Sequence, residues 1–134
     1  MTGESDLESL LKHMEPKHVP GEYVFCIIDE SEDDLIGTPL FVFREEEGAT
    51  VVLLRDIAEL NQIKFEKIWG LITLSVHSDL SAVGFLAEIT HHLAQAGVSV
   101  NVVSAYYHDH LFVPFSKVEK AMEVLTSLSA HYSE

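Results

Sequence analysis

Between residues 71 and 106 the hydrophobic pattern changes period twice, and this limits the fold more than any other feature of the chain. Residues 71–77 alternate, with Ile72, Leu74 and Val76 on one side and Thr73, Ser75 and His77 on the other, the period of two of a half-buried strand. Ala82, Leu86, Ile89, Leu93 and Ala96 then recur at helical spacing over 81–96. Gly97 follows, the residue type that most readily takes positive φ where a helix ends. Residues 98–106 are β-branched and strand-like again, with 111–113 as their partner across a short polar turn. A strand, a helix and a hairpin in this order must lay one helical stripe against one sheet face, which is two-layer α+β packing.

The rest of the chain repeats the theme without repeating the sequence. Leu7, Leu10, Leu11 and Met14 form one helical face, with Ser5 and Glu8 as a capping box and Pro16 as the stop. A strand over 22–29 is apolar on both sides and reads as buried. The acidic stretch Asp29, Glu30, Glu32, Asp33 and Asp34 is a loop running to Gly37 and Pro39. Residues 40–44 and 50–54 are strands joined by the turn Glu45-Glu46-Glu47-Gly48, and a short helix follows over 56–62. At the end Ser116 and Glu119 offer another capping box, before a helix burying Val118, Met122, Leu125 and Leu128. The order is α-β-β-β-α and then β-α-β-β-α, giving modules 1–69 and 70–134. The joining segment 61–69 is too short for independent domains, so one shared fold is expected.

Charge and cysteine content narrow the function classes. The 134 residues carry 22 acidic and 8 basic side chains, a formal net charge of −14. Residues 1–69 hold 16 of the acids and 6 of the bases, so the first half is the more acidic. Such a surface repels phosphate backbones and anionic lipid, which disfavours nucleic-acid and membrane-surface partners. Cys26 is the single cysteine and lies within the apolar run 23–28, so it reads as a buried, inert thiol, with no internal disulfide or thiolate metal cluster available. Residues 1–6 are acidic and lack the basic-then-apolar pattern of a signal peptide, and no apolar stretch reaches the ~18 residues that span a bilayer. A soluble cytoplasmic protein is expected.

The stretch 77–89, followed by 97–103, carries the functional signal. It sets a polar strand end, a glycine in the expected first helical turn and an apolar helix in succession. Helix N-termini expose unpaired N–H groups and favour anions, and Gly84 lets a ligand approach the backbone closely, so this is a candidate carboxylate site. A glycine there serves helix–strand packing equally well.

Residues 70–114 resemble an ACT domain. Gly84-Phe85-Leu86-Ala87-Glu88 followed by Gly97-Val98-Ser99-Val100-Asn101 is similar to the regulatory domains of aspartokinases. The pieces 23–26, 43–48, 72–78, 82–84 and 106–114 together resemble small standalone proteins with paired ACT modules, across nearly the whole chain. The resemblance implies a ferredoxin-like α+β two-layer sandwich with antiparallel sheets, associating as a homodimer. It also implies a small-molecule ligand, an amino acid above all, held by His77, Ser78, Asp79, Gly84, Phe85, Asn101 and Val103. Asn101 stands where the aspartokinase pattern has aspartate; an amide accepts a hydrogen bond from an ammonium but brings no charge. No cofactor or metal is expected.

Other constellations carry less. His108-Asp109-His110 falls where the hairpin must turn, and alternation brings only two of its three side chains to one side. His91-His92 are adjacent on a helix, about 100° apart, which is wrong for chelation. The acidic loop lacks the glycine and ligand spacing of an EF-hand, and no P-loop, dinucleotide fingerprint or nucleophile elbow occurs. The leading reading is a regulatory, non-catalytic amino-acid sensor. The alternatives are a ligand-free dimerisation or protein-interaction module, and an uncharacterised enzyme using His77, His108 and Asp109.

Overall fold

The apolar runs set the elements, and the computed structural model describes them for residues 6–29 and 32–133. Two compact units emerge: the described residues of Met1–Pro20 and Gly70–Glu134 form one, and Gly21–Trp69 the other. The long strand β1, Pro16–Ile28, contributes its first residues to the former and the remainder to the latter.

The larger unit contains α1 (Leu7–Lys12), β4 (Trp69–Leu74, from Gly70 onward), α3 (Phe85–Gln95), β5 (Asn101–Ser104), β6 (Asp109–Pro114) and α4 (Val118–His131). Its strands lie in the order β4-β6-β5, and β5 pairs antiparallel with β6 in the register Asn101↔Phe112 to Ser104↔Asp109. Leu10, Leu11 and Met14 meet Phe85, Ile89 and Leu93 of α3 and Val118, Ala121, Leu125 and Leu128 of α4 over Ile72, Leu74, Leu111 and Val113. Three helical stripes therefore share one sheet face, and helix α1 belongs to the core of the C-terminal half. Gly70 makes this packing close: a Cβ built there would lie 2.2 Å from Val118 Cγ2.

The smaller unit holds the rest of β1 with β2 (Phe41–Glu45), β3 (Gly48–Leu54) and α2 (Arg55–Leu60). Strand β3 lies between β2 and β1, antiparallel to both, with Phe25↔Val52 and Phe43↔Thr50 among the pairs. Val24, Cys26 and Ile28 on one face of β1 pack with Val51, Leu53 and Ala58. Asn61 ties down the acidic loop: its Nδ2 donates to Ile36 O and Ile57 O and its Oδ1 accepts from Ile36 N, each at 2.8 Å.

Several expected boundaries move. Helix α1 is capped by Asp6, whose carboxylate accepts from Ser9 N, while Ser5 lies outside the described residues, as does Glu30 of the acidic run. The N-cap of α4 is Lys117, with no side-chain capping bond, so Ser116 and Glu119 do not form the expected box; a short 3-10 turn over Phe115–Lys117 leads into the helix instead. Helix α3 starts at Phe85 rather than 81, because Gly84 at φ 89° is outside helical geometry and ends any earlier turn. The hairpin turns over 105–108, with Ala105 N donating to His108 O, so Asp109 and His110 open strand β6 rather than sit in the turn. No helix among the described residues is long and apolar enough to cross a membrane.

Candidate ligand-binding site

Where β4 ends, the chain crosses from 75 to 84 to reach α3, and this crossing forms one wall of a small cleft within the larger unit. Ser78, Asp79, Gly84 and Phe85 line it together with Ser104 and Asp109 from the β5–β6 hairpin, around about 130 Å³. That is the space of roughly four water molecules, the scale of a small metabolite rather than a drug-sized ligand.

Each wall has a local cause. Gly84 is the N-cap of α3 in left-handed geometry, and no side chain caps the helix. A Cβ at Gly84 would meet only Leu7 Cδ2, at 3.7 Å, so backbone conformation rather than space demands the glycine. Phe85 turns its ring into the core, at 2% exposure, and so leaves the helix opening unplugged. Phe85, Leu86 and Ala87, the first residues of α3, line the cleft, and the helix is long enough to carry a dipole.

The cleft is also acidic. Asp109 is 6% exposed and Ser78 8%, and Ser78 Oγ donates to Asp109 Oδ2 at 2.9 Å. A carboxylate this buried is costly, and Asp109 has no ion pair among the described residues to offset that cost. Asp79 Oδ1 accepts from both Ser81 N and Ser81 Oγ at 3.0 Å. The Ser81 backbone N–H, and then its hydroxyl, hold the Asp79 carboxyl below its ordinary range against a smaller opposing desolvation, so it stays ionised at neutral pH. The lining of the cleft thus combines an uncapped helix start with two acidic side chains.

Of the residues expected at the site, Ser78, Asp79, Gly84 and Phe85 come together here, while His77, Asn101 and Val103 do not line the cleft. Asn101 is exposed at the far end of β5, three residues and so about 10 Å along the strand from Ser104. Val103 pairs with His110 across the ladder. His77 packs its ring on Tyr107, centroids 5.1 Å apart. Ser104 carries no signal in the sequence, and Asp109, read there only as part of the His108-Asp109-His110 turn or of a catalytic alternative, instead lines the cleft with it. The signal for Asp109 was a lone acid opening an otherwise apolar strand, but its partnership with Ser104 exists only in the hairpin register.

The histidines are dispersed. His108 Nδ1 lies 3.3 Å from Val76 O, and His110 Nδ1 lies 2.9 Å from Thr73 Oγ1. Burial, and then the neighbouring His108, lower the His110 pKa, partly opposed by Asp109. No hydrogen bond among the described residues links His77, His108 and Asp109 into a catalytic set. No group of three or more His, Cys, Asp or Glu side chains suited to a metal ion occurs among those residues.

Helices packed over antiparallel strands, with a ligand-sized cleft at a helix N-terminus, define the class: an α+β protein of the ferredoxin-like kind. The chain belongs to the ACT domain family, whose models match it twice in tandem, over residues 2–69 and 66–127. It is similar to a solved Vibrio cholerae protein of unknown function, described as a possible transport protein, with 40% identity and a TM-score of 0.83 over 92% of this chain and 95% of that one. An Agrobacterium tumefaciens protein is 19% identical, with a TM-score of 0.68, covering 85% of this chain and 87% of its own. The regulatory subunit of aspartate kinase from Thermus thermophilus, in ligand-free form, shares the fold at 10% identity and a TM-score of 0.56, over 84% of this chain and 95% of that one. No curated protein matches the chain.

Proposed function

We propose that this protein is a non-catalytic, amino-acid-binding regulatory protein whose ligand occupies the cleft at the start of α3. The carrying observation is that the uncapped start of α3 and the buried Asp109 side chain line the same space of about 130 Å³. An amino acid is a zwitterion: its carboxylate suits the amides of Phe85 and the residues after it, and its ammonium suits an acid. Ser78 and Ser81 each engage one oxygen of Asp109 and Asp79, and a carboxylate has a second oxygen to offer. Asp109 is better placed for this than Asn101, which lies away along β5. The small volume favours a short side chain. Signalling requires the ligand to bind two states of the protein unequally.

Thermal-shift titration with the common amino acids tests the reading. Ligand at one hundred times its Kd adds about 2.7 kcal/mol to stability. Ala87→Leu, on the exposed side of α3 where it borders the cleft, fills the space without strain on Gly84 and abolishes the shift. Asp109→Asn abolishes it for amino acids but not for simple carboxylates. Unchanged melting with every amino acid defeats the proposal.

A second reading, a ligand-free interaction module, draws on the exposed Leu80 and Val83, 66% and 84% accessible, beside the same cleft. Under that reading a homodimer, measured by light scattering, is lost in Leu80→Ser/Val83→Ser while amino acids remain without effect.

A further inference from the structure

The smaller unit has a concavity of its own, unlike the cleft in size and chemistry. A groove of about 760 Å³ runs between β1 and the segment 63–69, within the volume range of small-molecule sites. Phe25, Ile27, Phe65 and Trp69 form its apolar body. Phe25 and Trp69 meet edge-to-face, with ring centroids 5.9 Å apart, so this wall is an ordered aromatic corner. Ile27, 55% exposed, leaves apolar surface open beside it. Burial pushes the Cys26 thiol up, so it is uncharged at neutral pH and adds to the apolar floor.

The charges on this wall run against the rest of the chain. The smaller unit has four basic residues, Arg44, Arg55, Lys64 and Lys67. Arg55 is committed to Glu22 at 3.0 Å, with Glu59 at 3.9 Å. Lys64 and Lys67 both line the groove and make no ion pair among the described residues. Glu66 shares the wall, so its net charge is one positive, in a chain carrying −14. A positive rim over an aromatic corner is complementary to an anion with an apolar body. A second copy of the chain fits less well, because symmetric pairing through this wall turns its lysines toward their own copies.

We propose that this groove is a second ligand site, taking a small carboxylate with an aromatic or aliphatic body, its chain against Phe25 and Trp69 and its charge toward Lys64 and Lys67. The site is independent of the amino-acid cleft.

Trp69 is the only tryptophan, so its fluorescence reports this groove alone. With 3-phenylpropionate as the probe, a saturable change in Trp69 emission is expected, weakening as salt rises from about 0.05 to 0.5 M. The matched amine, 3-phenylpropylamine, should bind at least about tenfold more weakly. Lys64 and Lys67 are exposed, so Lys64→Gln/Lys67→Gln leaves the fold intact and should raise the Kd for the carboxylate about fivefold. Ala87→Leu, which blocks the other cleft, should leave the Trp69 response unchanged, so the two ideas can fail separately. Equal binding of acid and amine, or an unaltered Kd in the double variant, overturns the proposal. So does an emission that changes with protein concentration and not with probe, which would make the groove a contact between copies.

Discussion

Replacing Gly70 with alanine tests how tightly helix α4 seats on strand β4. The backbone carries no positive φ there, so alanine is conformationally allowed and removes unfolded-state freedom, a gain of about 0.4–1 kcal/mol. The obstacle is space. The new Cβ would fall 2.2 Å from Val118 Cγ2, against the usual ~3.5–4 Å between carbons, and Val118 is 8% exposed at the first residue of α4 with little freedom to move. Relief requires a shift of more than 1 Å in the helix or the rotamer, and overpacking of this kind costs about 1–3 kcal/mol. Allowing for the entropic gain, a net loss of about 1–2 kcal/mol is expected. Over 134 residues, unfolding entropy converts each kcal/mol to ~3.6 °C, so the melting temperature falls by about 4–7 °C. Val118→Ala alone loses two methyl groups and should cost about 1 kcal/mol. In the double variant the next atoms met, Val118 Cβ and Phe115 Cδ1, are each 3.7 Å away, an ordinary contact. Gly70→Ala should therefore be free or mildly stabilising in the Val118→Ala background. Urea unfolding of the four proteins gives the coupling energy, expected at about 2 kcal/mol in favour of the pair. Additivity within about 0.5 kcal/mol would refute the steric account.

Two further outcomes follow from side chains with defined partners. Asn61→Ala removes the three bonds that hold Ile36 and the end of α2, and should cost about 1–2 kcal/mol in urea unfolding; faster exchange of the Ile36 amide identifies the loop as the part released. His110 has a folded pKa below the ordinary histidine value of about 6.5, lowered chiefly by burial, so the unfolded chain binds the proton more readily. Its contribution is complete above pH ~6.5 and is lost as pH falls from there toward the folded pKa. Urea midpoints measured from pH 8 to 5.5 should decline less steeply in His110→Gln than in the parent, and parallel curves would contradict the assignment.

Much of the architecture is legible because it depends on local periodicity. The alternation of Ile72, Leu74 and Val76 and the stripe through Leu86, Ile89 and Leu93 each report which face is buried, whatever lies opposite. The turn at Glu46 and Glu47 and the helix ending before Gly97 are equally local. End details were harder to read. Ser5 and Glu8 match a capping pattern, yet Asp6 performs the capping, because an aspartate one place later satisfies the same amide requirement.

The sequence alone determined the element types, the apolar faces, the anionic surface and the first half of the cleft, since Ser78, Asp79, Gly84 and Phe85 are neighbours along the chain. Tertiary structure alone decided the other half. Asp109 reaches Ser78 across 31 positions, and Ser104 joins it only through the register of β5 on β6. The placement of α1 in the C-terminal unit's core likewise comes from long-range packing of Leu10, Leu11 and Met14. The physical reason is the same in each case: periodicity states that a face must be covered, but hydrophobic burial is non-directional and does not name the partner.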